Sequence, residues 1–272
     1  MKFKLSAFAD EISQDLDVQL NTLKRFNIDY IEARCIENVP LIEYSTESIK
    51  EFKKKLDYNG IKLSSLASPI GKISINGDLK THYEKFKRTV EIAEILSAPY
   101  IRIFSFFIDK DFVPGDFKNK VIDELNKYVE YIKNCDVVLL HENEKHIFGD
   151  TAERCLYIFA NIKSNKLKAV FDPANFIQCN EKELYKVYSK LKPHIEYFHI
   201  KDALLFEGKV VPAGQGDGEI LPIVEDAYKS NFDGFLSIEP HLNHSLPGGG
   251  EKNFEIAYKA LKDILTAVER ER

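Results

Sequence analysis

The sequence predicts a (β/α)8 barrel. Three observations carry that prediction. Eight short runs read as strands, segments of 3.6-residue periodicity separate them, and no Pro-, Gly- or Ser-rich linker divides the chain. Strict alternation of strand and helix implies right-handed crossovers and a parallel sheet, and eight such units favour a closed barrel over an open sheet. The 272 residues suit one barrel of about 250 residues, so residues 1–272 are expected to form a single domain.

In chain order the strand candidates are FKLSAF (3–8), YIEARC (30–35), KLSSLAS (62–68), YIRIFSF (100–106), VVLLHEN (137–143), KAVFDPA (168–174), IEYFHIK (195–201) and GFLSIEP (234–240). Helical periodicity is clear from Tyr83 to Leu96, where Phe86, Val90, Ile92, Ala93 and Leu96 form an apolar stripe, and again from Phe117 to Ile132. Asp150-Thr-Ala-Glu153 and Asn180-Glu-Lys-Glu183 read as capping-box variants just ahead of apolar runs. A last helix is expected from about Phe254 to Val268. The loop from His241 to Lys252, with Gly248-Gly-Gly250, follows the eighth strand and reads as a lid.

Composition narrows the function classes. A 44% apolar and 30% charged content is that of a soluble globular protein. The formal net charge of -5 argues against a nucleic-acid backbone as partner, while leaving room for a local basic patch. Cys35, Cys135, Cys155 and Cys179 contain no C-x-x-C pair, which excludes a zinc ribbon and a thioredoxin-type motif and leaves buried free thiols as the expectation. The opening MKFKLSAFADEIS reaches Asp10 and Glu11 too soon for a signal peptide, and no window approaches the ~18 apolar residues of a membrane span. A cytoplasmic location with no membrane partner is the expectation.

The active site of such a barrel lies at the C-terminal ends of its strands. Strand five ends in His141-Glu142-Asn143-Glu144, strand six in Asp172-Pro-Ala-Asn175, strand seven in His199-Ile-Lys201-Asp202 and strand eight in Glu239-Pro-His241. Glu142, Asp172, His199 and Glu239 would therefore converge from four adjacent strands. Any one of these acids could instead cap a helix or pair with Lys or Arg. Four at equivalent strand ends, spaced 30, 27 and 40 residues apart, point to a divalent cation that offsets their burial. Oxygen donors with one imidazole suit Mn²⁺, Mg²⁺, Co²⁺ or Zn²⁺. Two carboxylates facing a bound substrate also suit proton relay, provided that their pKa values lie near neutrality. Glu32, Arg34, Arg102, Lys72 and Lys201 could bind hydroxyls, a carboxylate or a phosphate, or form ion pairs around the rim. His141 should point away from Glu142 into the barrel wall, because neighbours alternate along a strand. His146 and His241 are placed at the mouth, and Gly214 and Gly216 in a tight turn near it.

LLHENE (139–144), FDPANF (171–176), HIKDA (199–203), VPAGQGDGEI (211–220) and SIEPH (237–241), with Ala7-Phe-Ala-Asp10-Glu11, together resemble the xylose isomerase-like TIM barrels over nearly the whole chain. That superfamily includes sugar isomerases, ketose 3-epimerases and endonuclease IV. The resemblance implies that Glu142, Asp172, His199 and Glu239 hold one metal ion, and that Glu142 and Glu239 also act as acid and base. The implied activity is a sugar isomerase or epimerase working through an enediolate on a sugar, sugar phosphate or cyclitol. Dehydration of a cyclitol or keto acid, of the inosose or dehydroshikimate type, is the alternative. Less favoured are an endonuclease IV-like phosphodiesterase and a non-catalytic sugar-binding barrel. Asn175 stands where the ketose epimerases and endonuclease IV carry a His, which speaks against a three-zinc site and a close match to the epimerases. Asn175, Lys201, Arg102, Lys72 and His241 are the expected substrate-binding residues. The specific substrate, the physiological metal and any homo-oligomer stay open.

Overall fold

A computed structural model describes residues 3–242 and 249–270. All eight expected strands form: β1 (Lys4–Ala7), β2 (Tyr30–Ala33), β3 (Lys62–Ala67), β4 (Tyr100–Ile103), β5 (Val138–Glu142), β6 (Leu167–Phe171), β7 (Ile195–Ile200) and β8 (Phe235–Ile238). They pair in parallel in the order β2-β3-β4-β5-β6-β7-β8-β1. β1 returns beside β2, but no ladder joins these two among the described residues, so the (β/α)8 barrel closes at every seam except this one. Each strand is therefore flanked on both sides, which suits the near-continuous apolar runs seen in the sequence.

The helices are α1 (Leu16–Arg25), α2 (Thr46–Asn59), α3 (Leu79–Leu96), α4 (Lys118–Tyr131), α5 (Ala152–Asn161), the short α6 (Pro173–Gln178), α7 (Leu184–Leu191), α8 (Ile220–Lys229) and α9 (Gly250–Arg270). Two expected caps are corrected. The cap of α5 is Thr151, whose hydroxyl accepts from the Arg154 N–H, while Asp150 pairs with the Arg154 guanidinium. Before α7, Asn180 is drawn into the terminal turn of α6, where its N–H donates to the Ile177 carbonyl at 2.9 Å. Glu183 precedes α7 in a left-handed conformation without a side-chain capping bond.

Two apolar cores divide the work. The larger lies between the sheet and the helices. The smaller fills the barrel interior with Leu140, Val170, Tyr197 and Phe235, flanked by Tyr30 and Tyr100. A short polar layer lies beside it: the Tyr197 hydroxyl meets Ser64 Oγ at 2.8 Å, and Ser64 Oγ meets Ser6 Oγ at 2.6 Å. Because side chains alternate along a strand, the inward positions of Leu140, Val170 and Tyr197 place Glu142, Asp172 and His199, two residues on, inside the barrel at its C-terminal mouth.

The four cysteines are free thiols, but only Cys155 is buried; Cys35, Cys135 and Cys179 are partly exposed, which corrects the expectation for those three. No helix among the described residues is long and apolar enough to cross a membrane. The lid reading for the loop after β8 falls largely on 243–248, which lie outside the described residues.

Candidate metal centre

Glu142 ends β5, His199 lies on β7, and Asp172 and Glu239 stand one residue beyond β6 and β8. One donor atom from each of these four residues falls within 4.8 Å of the others, and all four residues are buried. His199 Nδ1 lies 3.0 Å from Glu142 Oε1, 3.5 Å from Glu239 Oε2 and 3.8 Å from Asp172 Oδ2. Asp172 has a second task as the N-cap of α6, its Oδ1 accepting from the Asn175 N–H at 2.9 Å. Pro173 follows at the first helical position, where a missing N–H costs nothing.

These residues fit a divalent cation. Glu142 Oε2 and Asp172 Oδ2 are buried oxygens that accept no well-aligned hydrogen bond and are met only by cationic side chains, and buried carboxylates carry a large desolvation cost unless something compensates them. Part of that compensation is built in. Arg102 Nη1 stands 3.2 Å from Glu142 Oε2, and the Lys201 ammonium lies 2.9 Å from both Asp172 Oδ2 and Glu239 Oε2. Burial opposes ionisation of Glu142, yet His199 and Arg102 outweigh it and hold this carboxyl at about 2. Glu239 is likewise held well below the usual range against its burial, chiefly by Lys201, so before an ion binds neither carboxyl lies near neutrality, which corrects that expectation. Burial would neutralise His199, but Glu32 and Glu142 on its two sides raise its pKa well above the usual value.

The Glu32 contact was within reach of the sequence but was not assigned to this set. Glu32 on β2 is fully buried, and its Oε1 meets His199 Nε2 at 3.2 Å across the barrel. A metal-ligating imidazole commonly donates its second ring N–H to a carboxylate, which fixes its tautomer and orientation. Inward parity on β2 was the available signal. Arg34 goes elsewhere: it pairs with Asp10 at 2.8 Å and Glu11 at 3.4 Å and reaches Glu239 Oε1 at 4.0 Å. Glu11, Glu239 and His241 form a second convergent group, but Arg34 already supplies its positive charge.

The expected substrate-binding residues separate into two settings. Asn175 is buried against the donor set, its side-chain amide donating to Glu142 Oε1 at 3.1 Å and to the Asn143 carbonyl at 2.9 Å. Arg102 and Lys201 touch the donor carboxylates as described, and His241 Nδ1 lies 3.4 Å from Glu239 Oε1. Lys72 stands apart at the rim, paired with Glu144 at 3.0 Å over the Phe104 ring. His141 turns outward as expected: it is buried with its ring edge-on to Phe159 of α5, and burial pushes its pKa down to about 4.

Beyond β7 the chain makes an antiparallel ribbon, Asp202–Ala203 with Val210–Val211. The Asp202 carboxylate accepts from the N–H groups of Ala203, Gly214, Gly216 and Gly218 at 2.9–3.0 Å, gathering the glycine-rich turn against the mouth. Gly214 adopts φ +81°, and a Cβ on Gly216 would fall 2.5 Å from both Asp202 Oδ1 and the Ala203 carbonyl. The chemistry of the turn therefore requires both glycines.

Fold and site together define a (β/α)8 barrel with a buried acid–imidazole donor set at its C-terminal mouth. The family follows from residues 20–264, which match the family described as xylose isomerase-like TIM barrel, and the chain belongs to that family. No curated protein matches the sequence significantly. Among solved structures, a D-tagatose 3-epimerase-like protein superposes with a TM-score of 0.79 at 18% identity, covering 99% of each chain. IOLI protein with a binding zinc atom gives 0.77 at 21% identity, covering 98% of this chain and 99% of that one. The probable 3-DHS dehydratase AsbF from Bacillus anthracis gives 0.76 at 16% identity over 96% and 99%.

Proposed function

We propose that the chain is a divalent-metal-dependent isomerase or epimerase that moves a proton at the carbon beside a carbonyl in a small polyhydroxy compound. The observation that carries this reading is the presence of two buried glutamates, Glu142 and Glu239, each within 3.5 Å of His199 Nδ1. Glu142, Asp172, His199 and Glu239 would hold the ion, and Mn²⁺, Mg²⁺, Co²⁺ and Zn²⁺ all suit that donor set. When bound, it supplies positive charge that polarises the substrate's carbonyl and hydroxyl oxygens.

The chain's own residues do the rest. One glutamate accepts the proton from the carbon beside the carbonyl, and the C–H electron pair becomes the new C=C bond of an enediolate as the carbonyl π pair moves onto its oxygen. For epimerisation the second glutamate enters the cycle as the carboxylic acid and gives its proton to the opposite face, so that the two exchange protonation states at each turnover; for isomerisation the glutamate that took the proton returns it to the neighbouring carbon. Arg102 and Lys201 place positive charge beside the developing oxyanions. Asn175 orients Glu142, while His241 and, from the rim, Lys72 contact substrate hydroxyls. The names of two structural neighbours, D-tagatose 3-epimerase-like protein and L-ribulose 3-epimerase, support the reading.

A second reading, dehydration, is favoured by one feature. Lys201 is a buried ammonium kept charged by Asp172 and Glu239 against its burial, placed to protonate a departing β-hydroxyl after the same proton abstraction. The AsbF neighbour is named a probable dehydratase. A screen of ketoses, aldoses and cyclitol ketones with Mn²⁺, Mg²⁺, Co²⁺ or Zn²⁺, followed by NMR in D2O, tests both. Deuterium uptake at the carbon beside the carbonyl is expected, with or without loss of water, and chelation should abolish it. Metal-loaded protein that exchanges no such proton in any substrate would refute both readings.

A further inference from the structure

Beside the donor set opens a cavity of about 470 Å³, lined by Glu144, Lys145, Asn175, Gln178, Lys201, Gly208, Lys209, Val210 and His241. Its inner wall is the candidate site itself, because Asn175, Lys201 and His241 each touch a donor carboxylate. Its outer wall differs in charge. Of the lining residues only Glu144 is acidic, and it is already tied to Lys72. Lys145 and Lys209 form no ion pair among the described residues, although the chain as a whole is net negative.

These two lysines are carried by ordered backbone. The Lys145 N–H donates to Glu144 Oε1 at 2.9 Å. Lys209 stands just before the ribbon strand Val210–Val211, where its carbonyl accepts from the Leu204 N–H at 2.9 Å and the adjoining Gly208 carbonyl accepts from Gln178 Nε2 at 2.7 Å. Neutral hydroxyls need paired donors and acceptors. A wall with two unopposed ammonium groups instead suits an anion.

We propose that the substrate is a polyhydroxy carbonyl compound with an anionic end, a phosphate or a carboxylate, which Lys145 and Lys209 hold while the reacting carbons lie over Glu142 and Glu239. This inference rests on the metal-dependent proton-transfer reading and narrows its substrate class.

The experiment uses the full chain saturated with Mn²⁺ and three matched probes: D-fructose, its 6-phosphate and its 6-carboxylate. Calorimetric titration should show at least tenfold tighter binding of one anionic probe than of D-fructose, and which of the two wins tells phosphate from carboxylate. The preference should shrink at high salt and vanish in the Lys145→Gln/Lys209→Gln double variant, whose Mn²⁺ affinity and melting temperature should be those of the parent. Equal binding of the three probes, no saturable binding of either anion, or an undiminished preference in the double variant would overturn the inference. A separate Mn²⁺ titration distinguishes the two failures. Normal metal binding without anion preference removes only the substrate class, whereas no metal binding at the donor set removes the parent reading.

Discussion

Replacing Glu32 tests whether the donor set works as a metal centre, because Glu32 touches only the far side of its imidazole. His199 Nε2 stands 3.2 Å from Glu32 Oε1, with both side chains fully buried. Gln at this position keeps a carbonyl oxygen for the Nε2–H but turns a charge-assisted bond into a neutral one, a loss of about 1 kcal/mol or roughly fivefold in metal affinity. Ala removes the acceptor as well and strands a buried N–H, costing roughly 2–3 kcal/mol and about a hundredfold. A second effect opposes the first. Burial lowers the His199 pKa, and Glu32 is the foremost group raising it above the ordinary value. Without Glu32 the proton competes less well for Nδ1. The affinity loss should therefore be greatest at pH 8, where the imidazole proton competes least, and should shrink towards pH 6. Free Mn²⁺ measured by electron paramagnetic resonance across that range gives both numbers. Parent-like affinity in both variants at pH 8, or a loss that grows as the pH falls, would refute the assignment of His199 Nδ1 as a ligand oriented by Glu32.

Three further outcomes are expected. Glu142→Gln and Glu239→Gln should each lower turnover by roughly 10²–10⁴-fold at saturating metal, and the two variants should differ in α-proton exchange with D2O; normal turnover in either defeats the two-base scheme. His141 is fully buried with its pKa depressed to about 4 from 6.5, so the unfolded chain takes up a proton that the native state refuses; stability is complete above pH 6.5 and falls by roughly 3 kcal/mol as the pH drops to 4. Urea unfolding of His141→Gln across that window should show a flatter profile than the parent, and equal slopes would contradict it. Asp202→Ala should release the N–H groups of Ala203, Gly214, Gly216 and Gly218 and destabilise the protein by roughly 2–3 kcal/mol, with faster amide exchange confined to the turn; unchanged exchange there would rule out the clasp.

The strand ends carried most of what the sequence revealed. Leu140-His141-Glu142 shows why: one strand's alternation sends His141 to the α5 side and Glu142 inward, and the same two-residue step brings Asp172 and His199 to the same height. Contacts across the barrel were harder to read. Glu32 and His199 are separated by 167 residues and meet only once the sheet curls. Asp202 reaches Gly214, Gly216 and Gly218 at separations of 12 to 16, where no helical or strand period relates donor and acceptor. Local capping signals failed where another local contact competed for the same residue: Asp150 pairs with Arg154 four residues on, and Asn180 closes the last turn of α6 on Ile177. Lys145 and Lys209 carried no motif, and only the cavity that they share with Asn175 sets them apart from other surface lysines.

Asp172 joins two properties that are usually separate. One oxygen caps α6 and the other faces the donor set, while α6 itself supplies Asn175 and Gln178 to the cavity wall. A ligand that leans on α6 and an ion drawn to Asp172 thus pull on the same carboxylate. Thermodynamic reciprocity then requires that whatever factor metal binding contributes to ligand affinity, ligand binding returns to metal affinity. Metal retention during turnover would then depend on the substrate present, and a poor substrate could leave the protein easier to strip of its ion than a good one.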